Sequence, residues 1–471
     1  MEKSTLNQLI AHLDARELNA FSQWIRSPFF NEDQAQVRLW DYLQECHQYL
    51  QLSPIKMKAF AKAYPGETYN DQKMRLLMSR LYKQMEQFLA YQAFKADPQL
   101  GPLHLVKALR RRKAIRHFDR AFKRVGKKLA QSNLRNESYY RGQLALQEEA
   151  HHLVSIDNPT EATHLQEMAA HLDCAYLVER LRQSCRILAH QRVYQAGQAP
   201  DPIPTLLPYA EQSGYTKEPA VELYVNCYKM LQAGAQEEQF RAFQTSLLNY
   251  STCVTLTELR DLFLLAINYC IRRINSNQPS FYQDLLALYR QGLESGALLE
   301  NGVLSRFTYQ NIVTAGIRTQ DYDWVEQFIQ DYQSALERSY RDIAYNISMA
   351  RLEFSRGEYA EASALVEKAN YRDPLLNLGN KVLQLKIYYE SDKIDLLEAQ
   401  LDATNSYIRR KRIIGYHRSN YEQIVRYIRR LISTNPYDKT ALRTLLREVE
   451  SEQPLTERHW LKEKIQALLQ R

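Results

Sequence analysis

Apolar residues recur at intervals of three and four along nearly the whole chain. Between 74 and 89, Met74, Leu77, Met78, Leu81, Tyr82, Met85, Phe88 and Leu89 make one stripe, with Lys73, Arg75, Arg80, Lys83 and Glu86 around it. That spacing marks an amphipathic helix burying one face. Read the same way, the pattern predicts helices near 4–13, 15–26, 32–51, 55–63, 71–95, 103–131, 136–154 and 159–195. Pairs follow near 219–233 with 236–250, joined through Ala233-Gly234-Ala235, and near 256–274 with 279–293. Further helices are expected near 418–432, 438–450 and 456–470, the last two meeting through Leu445, Leu446 and Val449 against Trp460, Leu461, Ile465, Leu468 and Leu469. Polar start signals agree: Asn31-Glu32-Asp33, Ser53-Pro54 and Asn158-Pro159-Thr160-Glu161 each precede a periodic run, as N-caps and first-turn prolines do.

The fold class that follows is all-α, an array of helical hairpins or an α-solenoid. Only 14 glycines and 15 prolines occur in 471 residues, too few for a protein made mainly of turns and short strands. The clearest interruption is Pro200, Pro202, Pro204 and Pro208. It divides the chain into a basic helical region over 1–195, a proline-rich joint over 196–208, a hairpin region over 209–304, a repeat region over 305–404, and basic and capping helices over 405–471. The strongest apolar run, Leu262 to Ile267, is far too short to cross a bilayer, so no transmembrane association is expected.

The sharpest repeat lies in 343–374. Tyr345-Asn346-Ile347-Ser348-Met349-Ala350-Arg351-Leu352-Glu353-Phe354 is followed by Ser355-Arg356-Gly357-Glu358-Tyr359-Ala360-Glu361-Ala362, then Val366, Ala369 and Pro374. This stretch resembles a tetratricopeptide repeat, with small Ala350, Ala362 and Ala369 for close helix approach and Gly357 for the turn. Asn346 stands where that family often has tryptophan, and Glu353 where it often has tyrosine. Asp321-Tyr322 parallels Glu358-Tyr359 at an offset of 37, and Ser391-Asp392 parallels Gly357-Glu358 at 34. The resemblance covers 305–404 and implies a right-handed helical array whose concave face binds a peptide or helix of another protein. Its implied contact residues are Asn346, Met349 and Glu353, with Tyr309, Asn311 and Arg318 on one side and Gln384 and Tyr388 on the other.

Charge adds an alternative. The formal balance is +8, divided as +10 over 1–150, −9 over 151–400 and +7 over 401–471. Lys107, Arg110, Arg111, Arg112, Lys113, Arg116, Arg120, Lys123, Arg124, Lys127 and Lys128 fall on one expected helix. A second group holds Arg409, Arg410, Lys411, Arg412, Arg418, Arg426, Arg429 and Arg430, with Tyr407, Tyr416, Tyr421 and Tyr427 interleaved. Such groups suit a nucleic-acid backbone, an acidic protein or membrane surface, solvation, or pairing with the acidic middle of the chain.

Chemistry is otherwise sparse. Glu148-x-x-His151, Glu149-x-x-His152 and Glu161-x-x-His164, extended by Glu167 and His171, have the spacing of di-iron helices; polar side chains on helix surfaces are the preferred reading, and a helical metalloenzyme is the lesser alternative. No G-x-S-x-G, Walker loop, G-x-G-x-x-G or H-E-x-x-H occurs, so no catalytic residue and no cofactor is nominated, and an interaction or scaffold role ranks above catalysis. Six cysteines without a C-x-x-C pair read as isolated buried thiols in a reducing, cytoplasmic setting.

Overall fold

Helix formation follows the local signals closely. In the computed structural model, Asp14 caps a helix through its carboxylate, which accepts the Arg16 and Glu17 N–H groups at 2.7 and 2.8 Å, while Glu17 reaches back to the Asp14 N–H at 2.9 Å. Thr255 and Glu258 repeat this reciprocal cap, so two orphan donors are satisfied at each start. The structure describes all residues except 2, 51–52, 158–163, 195–200, 233, 235, 277, 369–373, 411–415 and 471. The expected starts at Asn158-Pro159 and the joint through Ala233-Gly234-Ala235 therefore fall wholly or partly outside the described residues, as does Ala369.

The architecture is all-α, with twenty-three α-helices and one two-stranded ribbon among the described residues. The chain divides into two units: residues 1–180 with 209–221, and residues 181–208 with 222–471. The first contains α1 (Thr5–Ile10), α2 (Ala15–Arg26), α3 (Gln34–Gln44), α4 (Lys56–Ala63), α5 (Asp71–Ala96), α6 (Leu100–Arg111), α7 (Ile115–Gln131) and α8 (Glu137–Asp157). Met74, Leu77, Met78, Leu81, Met85 and Phe88 of the expected stripe are buried among Phe21, Leu39, Trp40 and Phe60. Beyond Gln44 the expected helix continues as a π-helical segment, Glu45–Leu50. A separate core joins α6, α7 and α8 through Val106, Phe118, Ala121, Val125, Leu129 and Leu146.

The helices α9 (Leu165–Tyr194), α10 (Ile203–Gln212) and α11 (Pro219–Leu231) supply residues to both units. Part of the proline-rich joint is helical: Pro204 sits in the first turn of α10, where its missing N–H costs nothing, and Pro208 lies inside it. Residues 196–200 of that joint lie outside the described residues.

The second unit continues with α12 (Glu237–Asn249), α13 (Leu256–Asn275), α14 (Phe281–Glu294), β1 (Leu299–Glu300), β2 (Val303–Leu304), α15 (Arg306–Arg318), α16 (Tyr322–Tyr332), α17 (Arg341–Arg356) and α18 (Tyr359–Glu367). It ends with α19 (Pro374–Glu390), α20 (Ile394–Arg410), α21 (Tyr416–Ser433), α22 (Lys439–Ser451) and α23 (Arg458–Gln470). From α13 to α21, consecutive helices pack against each other, as do α22 and α23. In addition α15 touches α17, α17 touches α19, α19 touches α21, and α21 touches α23, so these five form one continuous row. No helix among the described residues is long and apolar enough to cross a membrane.

Three hairpins of this row turn by the same device. Gln320, Gly357 and Asp392 adopt left-handed backbone at φ 59°, 89° and 54°. The next N–H in each case returns to a carbonyl five residues back, Asp321 to Gly316, Glu358 to Glu353 and Lys393 to Tyr388, at 3.0, 2.9 and 2.9 Å. This is a Schellman ending, which satisfies carbonyls the helix leaves open. The same closure separates α6 from α7 at Lys113, φ 56°, with the Ala114 N–H on the Leu109 carbonyl at 3.1 Å. The single helix expected over 103–131 is therefore a hairpin of two. Nothing in the composition of Arg112-Lys113-Ala114 signals the turn, because no glycine or proline marks it.

Glycine occupies the left-handed position in only one of the three row hairpins. Left-handed backbone costs other residues about 1–2 kcal/mol, and glycine returns roughly half to one of these through its freer unfolded chain. Gln320→Gly should therefore stabilise the second unit by about 0.5–1 kcal/mol, read as a rise in its urea midpoint. A lowered midpoint would mean that the Gln320 side chain, not its backbone, sets that turn.

Candidate functional site

The continuous row of helices carries one cavity of about 910 Å³ on its face. Its walls come from α15 (Thr314, Ile317, Arg318), α17 (Arg351, Phe354, Ser355), α19 (Gly379, Val382, Leu383, Lys386, Glu390), Tyr421 of α21, and the C-terminal hairpin (Glu457, His459, Trp460, Lys464). The hairpin register explains which side chains arrive there. Thr314, Arg351 and Lys386 each stand six residues before the left-handed turn residue, and Arg318, Ser355 and Glu390 stand two before it. Positions four apart share a helix face, so every hairpin presents the same two sites to the cavity.

The floor is charged and mostly paired. Lys386 Nζ donates to Glu457 Oε2 at 2.9 Å and lies 4.7 Å from the Phe354 ring centre. Glu390 Oε1 accepts both Trp460 Nε1 at 2.6 Å and Lys464 Nζ at 2.8 Å; Lys464 also approaches Glu463 at 3.3 Å. Burial alone would raise the Glu457 carboxyl, but Lys386, then Arg318 and Arg351, hold it below the usual carboxylate range. Burial raises the Tyr421 phenol even beside Arg351, so Tyr421 serves as a neutral hydroxyl. A Cβ at Gly379 would make ordinary contact here, 3.8 Å from Arg351 Nη2 and 3.9 Å from the Tyr421 hydroxyl. A guanidinium and a hydroxyl thus lie beside the same small residue of α19.

Arg318 and Arg351 differ from the other cations. Neither makes an ion pair among the described residues, whereas Lys386 and Lys464 are neutralised by Glu457 and Glu390. The cavity can therefore hold an anionic group at its unpaired arginines, with aromatic surface from Phe354, Tyr359 and Trp460 beside it.

Of the eight contact residues expected from sequence, Arg318 lines the cavity and the other seven do not. Tyr309 is fully buried, its hydroxyl donating to the Ile329 carbonyl at 3.0 Å. Met349 is buried and Asn346 half-buried. Glu353 pairs with Arg356 at 3.1 Å, Gln384 accepts from Gln400 of α20 at 2.7 Å, and Tyr388 packs into two apolar cores. Asn311 is exposed outside the cavity.

The two basic groups separate sharply. In the second, Arg418, Arg426 and Arg429 pair with Glu422, Glu452 and Asp402 at 2.8, 2.6 and 2.7 Å, and Arg430 pairs with Glu448. Lys411 and Arg412 lie outside the described residues, as does the Tyr416 side chain. In the first, Arg110 pairs with buried Glu149 at 2.5 Å, while Arg112 and Lys128 each donate to a backbone carbonyl. Arg111, Lys113, Arg116, Arg120, Lys123, Arg124 and Lys127 are exposed and make no ion pair among the described residues.

The Glu/His series does not converge. Glu161 lies outside the described residues, Glu149 is committed to Arg110, and His164 meets Glu167 at 3.3 Å on an exposed surface. Among the described residues no group of three or more His, Cys, Asp or Glu side chains is placed to share a metal ion. Burial pushes the Cys174 thiol up to about 12 and lowers His171, the reverse of what an activated thiolate and its base require. Comparison with protein-family models, with curated proteins and with solved structures finds no match to the chain.

Proposed function

We propose that the second unit is a protein-interaction module whose helical row receives an extended peptide segment bearing an acidic side chain. The observation that carries this reading is the pair of guanidiniums, Arg318 and Arg351, that make no ion pair among the described residues and stand on the cavity wall beside Phe354, Tyr359 and Trp460. Repeating hairpins offset by 37 and 35 residues at their turn residues support a tetratricopeptide-like array, in which stacked first helices build a binding face. Five stacked helices at about 8–10 Å per step span roughly 35 Å, the length of an extended peptide of about ten residues. A partner's carboxylate would accept from Arg351 and Arg318, and its apolar neighbours would cover the aromatic wall.

The test measures fluorescence anisotropy of labelled ten-residue peptides that differ only in acidic content. Acidic peptides should bind, neutral ones more weakly, and Arg318→Ala with Arg351→Ala should weaken acidic binding about tenfold each, since a charge-assisted hydrogen bond contributes about 1.5–3 kcal/mol. Arg409→Ala with Arg410→Ala, outside the cavity, serves as the control. Equal binding of acidic and neutral peptides, or full binding by the double arginine variant, defeats the reading.

A further inference from the structure

The first unit carries a second surface unrelated to the cavity. On α7, Arg116, Arg120, Lys123, Arg124 and Lys127 are all exposed. At about 100° per residue they fall within an arc of roughly 100°. Phe118, Ala121, Val125 and Leu129 occupy the opposite side and are buried in the core shared with α6 and α8. The helix is thus fixed by its apolar face and presents a single-sign strip to solvent. Asp119 at the edge of the strip is the one acidic residue on α7, and Glu148 is exposed on neighbouring α8. None of the five cations is ion-paired among the described residues, although Arg418, Arg426, Arg429 and Arg430 of the other basic group all are.

We propose that this strip is a binding site for duplex nucleic acid, engaged through the phosphate backbone and without base recognition. From Arg116 to Lys127 the strip runs about 16 Å at 1.5 Å per residue. Over that length, about half a helical turn, a duplex carries about five phosphates on each strand, and the five long cationic side chains reach those that face the strip from both strands. The occupant is set by what the strip lacks. A helix that enters a membrane interface buries its apolar face among lipid tails, and the apolar face of α7 is already committed to the core. A protein partner is held by a desolvated apolar centre, and no Phe, Tyr, Trp or aliphatic side chain lies within the arc of the five cations, His117 standing at its edge. A regular line of phosphates needs neither, because release of condensed counterions supplies the affinity. With no Phe, Tyr or Trp in the arc the strip offers little surface for base stacking, which favours a duplex over a single strand.

The experiment titrates the full chain into labelled twenty-base-pair DNA and RNA duplexes of two unrelated sequences between 50 and 200 mM salt. With five contacts the logarithm of the affinity should fall against the logarithm of salt with a slope of about −4.5, alike for both sequences. Lys123→Ala, Arg124→Ala and Lys127→Ala together should reduce that slope by about three and weaken binding at least tenfold at low salt. Circular dichroism establishes that the triple variant keeps its helices, and Arg409→Ala with Arg410→Ala should leave binding unchanged. No duplex binding at 50 mM salt, an unaltered slope in the triple variant, or loss confined to binding of anionic lipid vesicles overturns the proposal.

Discussion

Arg182→Met should destabilise the second unit by about 3 kcal/mol or more, measured by urea unfolding. Arg182 of α9 donates to Glu258 of α13 at 3.0 Å, and the Glu258 side chain is only 7% exposed. Removing the guanidinium takes an ion-pair partner from a buried carboxylate, a change that costs up to about 3–5 kcal/mol. The lower end applies because Glu258 Oε2 still accepts the Thr255 N–H and hydroxyl, both at 2.9 Å. Adding Glu258→Gln should recover much of the loss, since a neutral amide can still close the cap. The same two helices supply the comparison. Arg186 and Asp261 pair at 2.8 Å but are 50% and 41% exposed, and Arg186→Met should cost less than about 1 kcal/mol. Equal losses at the two sites would show that burial does not set the strength of the α9–α13 contact.

The helical stripes were legible because burial on one face leaves a regular mark. Met74 to Phe88 could be read directly and is buried as read. Turns made without glycine left a fainter mark: the turns at Gln320 and Asp392 show only as parallels to Glu358-Tyr359 and Gly357-Glu358, and Lys113 breaks α6 from α7 with no signal. The structural offset between Gly357 and Asp392 is 35 residues, one more than the sequence parallel between Gly357-Glu358 and Ser391-Asp392. The Asn301-Gly302 turn, at φ 52° and 80°, joins β1 to β2. That pair is a strong hairpin signal carried by the sequence.

Face assignment was harder than helix assignment. Met349, Glu353, Gln384 and Tyr388 stand eight or four residues before their turn residues, whereas the cavity takes positions six and two before them. Two residues along a helix rotate by about 200°, so those side chains point toward the packed side of the row. Arg318, two before Gln320, falls on the cavity face. Charge was ambiguous for a related reason. The acids that neutralise Arg426, Arg429 and Arg430 lie 18 to 27 residues away in sequence, and only folding brings them close. The unpaired cations of α7 and of the cavity stand out once those pairs are removed from the count.

Gly316→Ala tests how tightly the row itself is built. A Cβ at 316 would stand 2.3 Å from Val325 Cγ2 across the α15–α16 contact, closer than any stable contact between carbons. Gly316 also supplies the carbonyl that accepts the Asp321 N–H at 3.0 Å, so the same residue sets helix spacing and closes the turn. Overpacking of this kind costs about 1–3 kcal/mol, against which alanine regains up to about 1 kcal/mol of helix propensity. The net expectation is a loss of about 1–2 kcal/mol, accompanied by weaker binding of acidic peptides, because Thr314, Ile317 and Arg318 flank the displaced position on the cavity wall. Val325→Ala alone should also destabilise, by opening a void where that side chain is fully buried. The two changes together should cost clearly less than their sum, since the alanine at 316 then enters the space Val325 vacates. Strict additivity in this cycle would mean that α15 and α16 can separate freely. Arg318 would then lose the fixed position that the proposed peptide site requires.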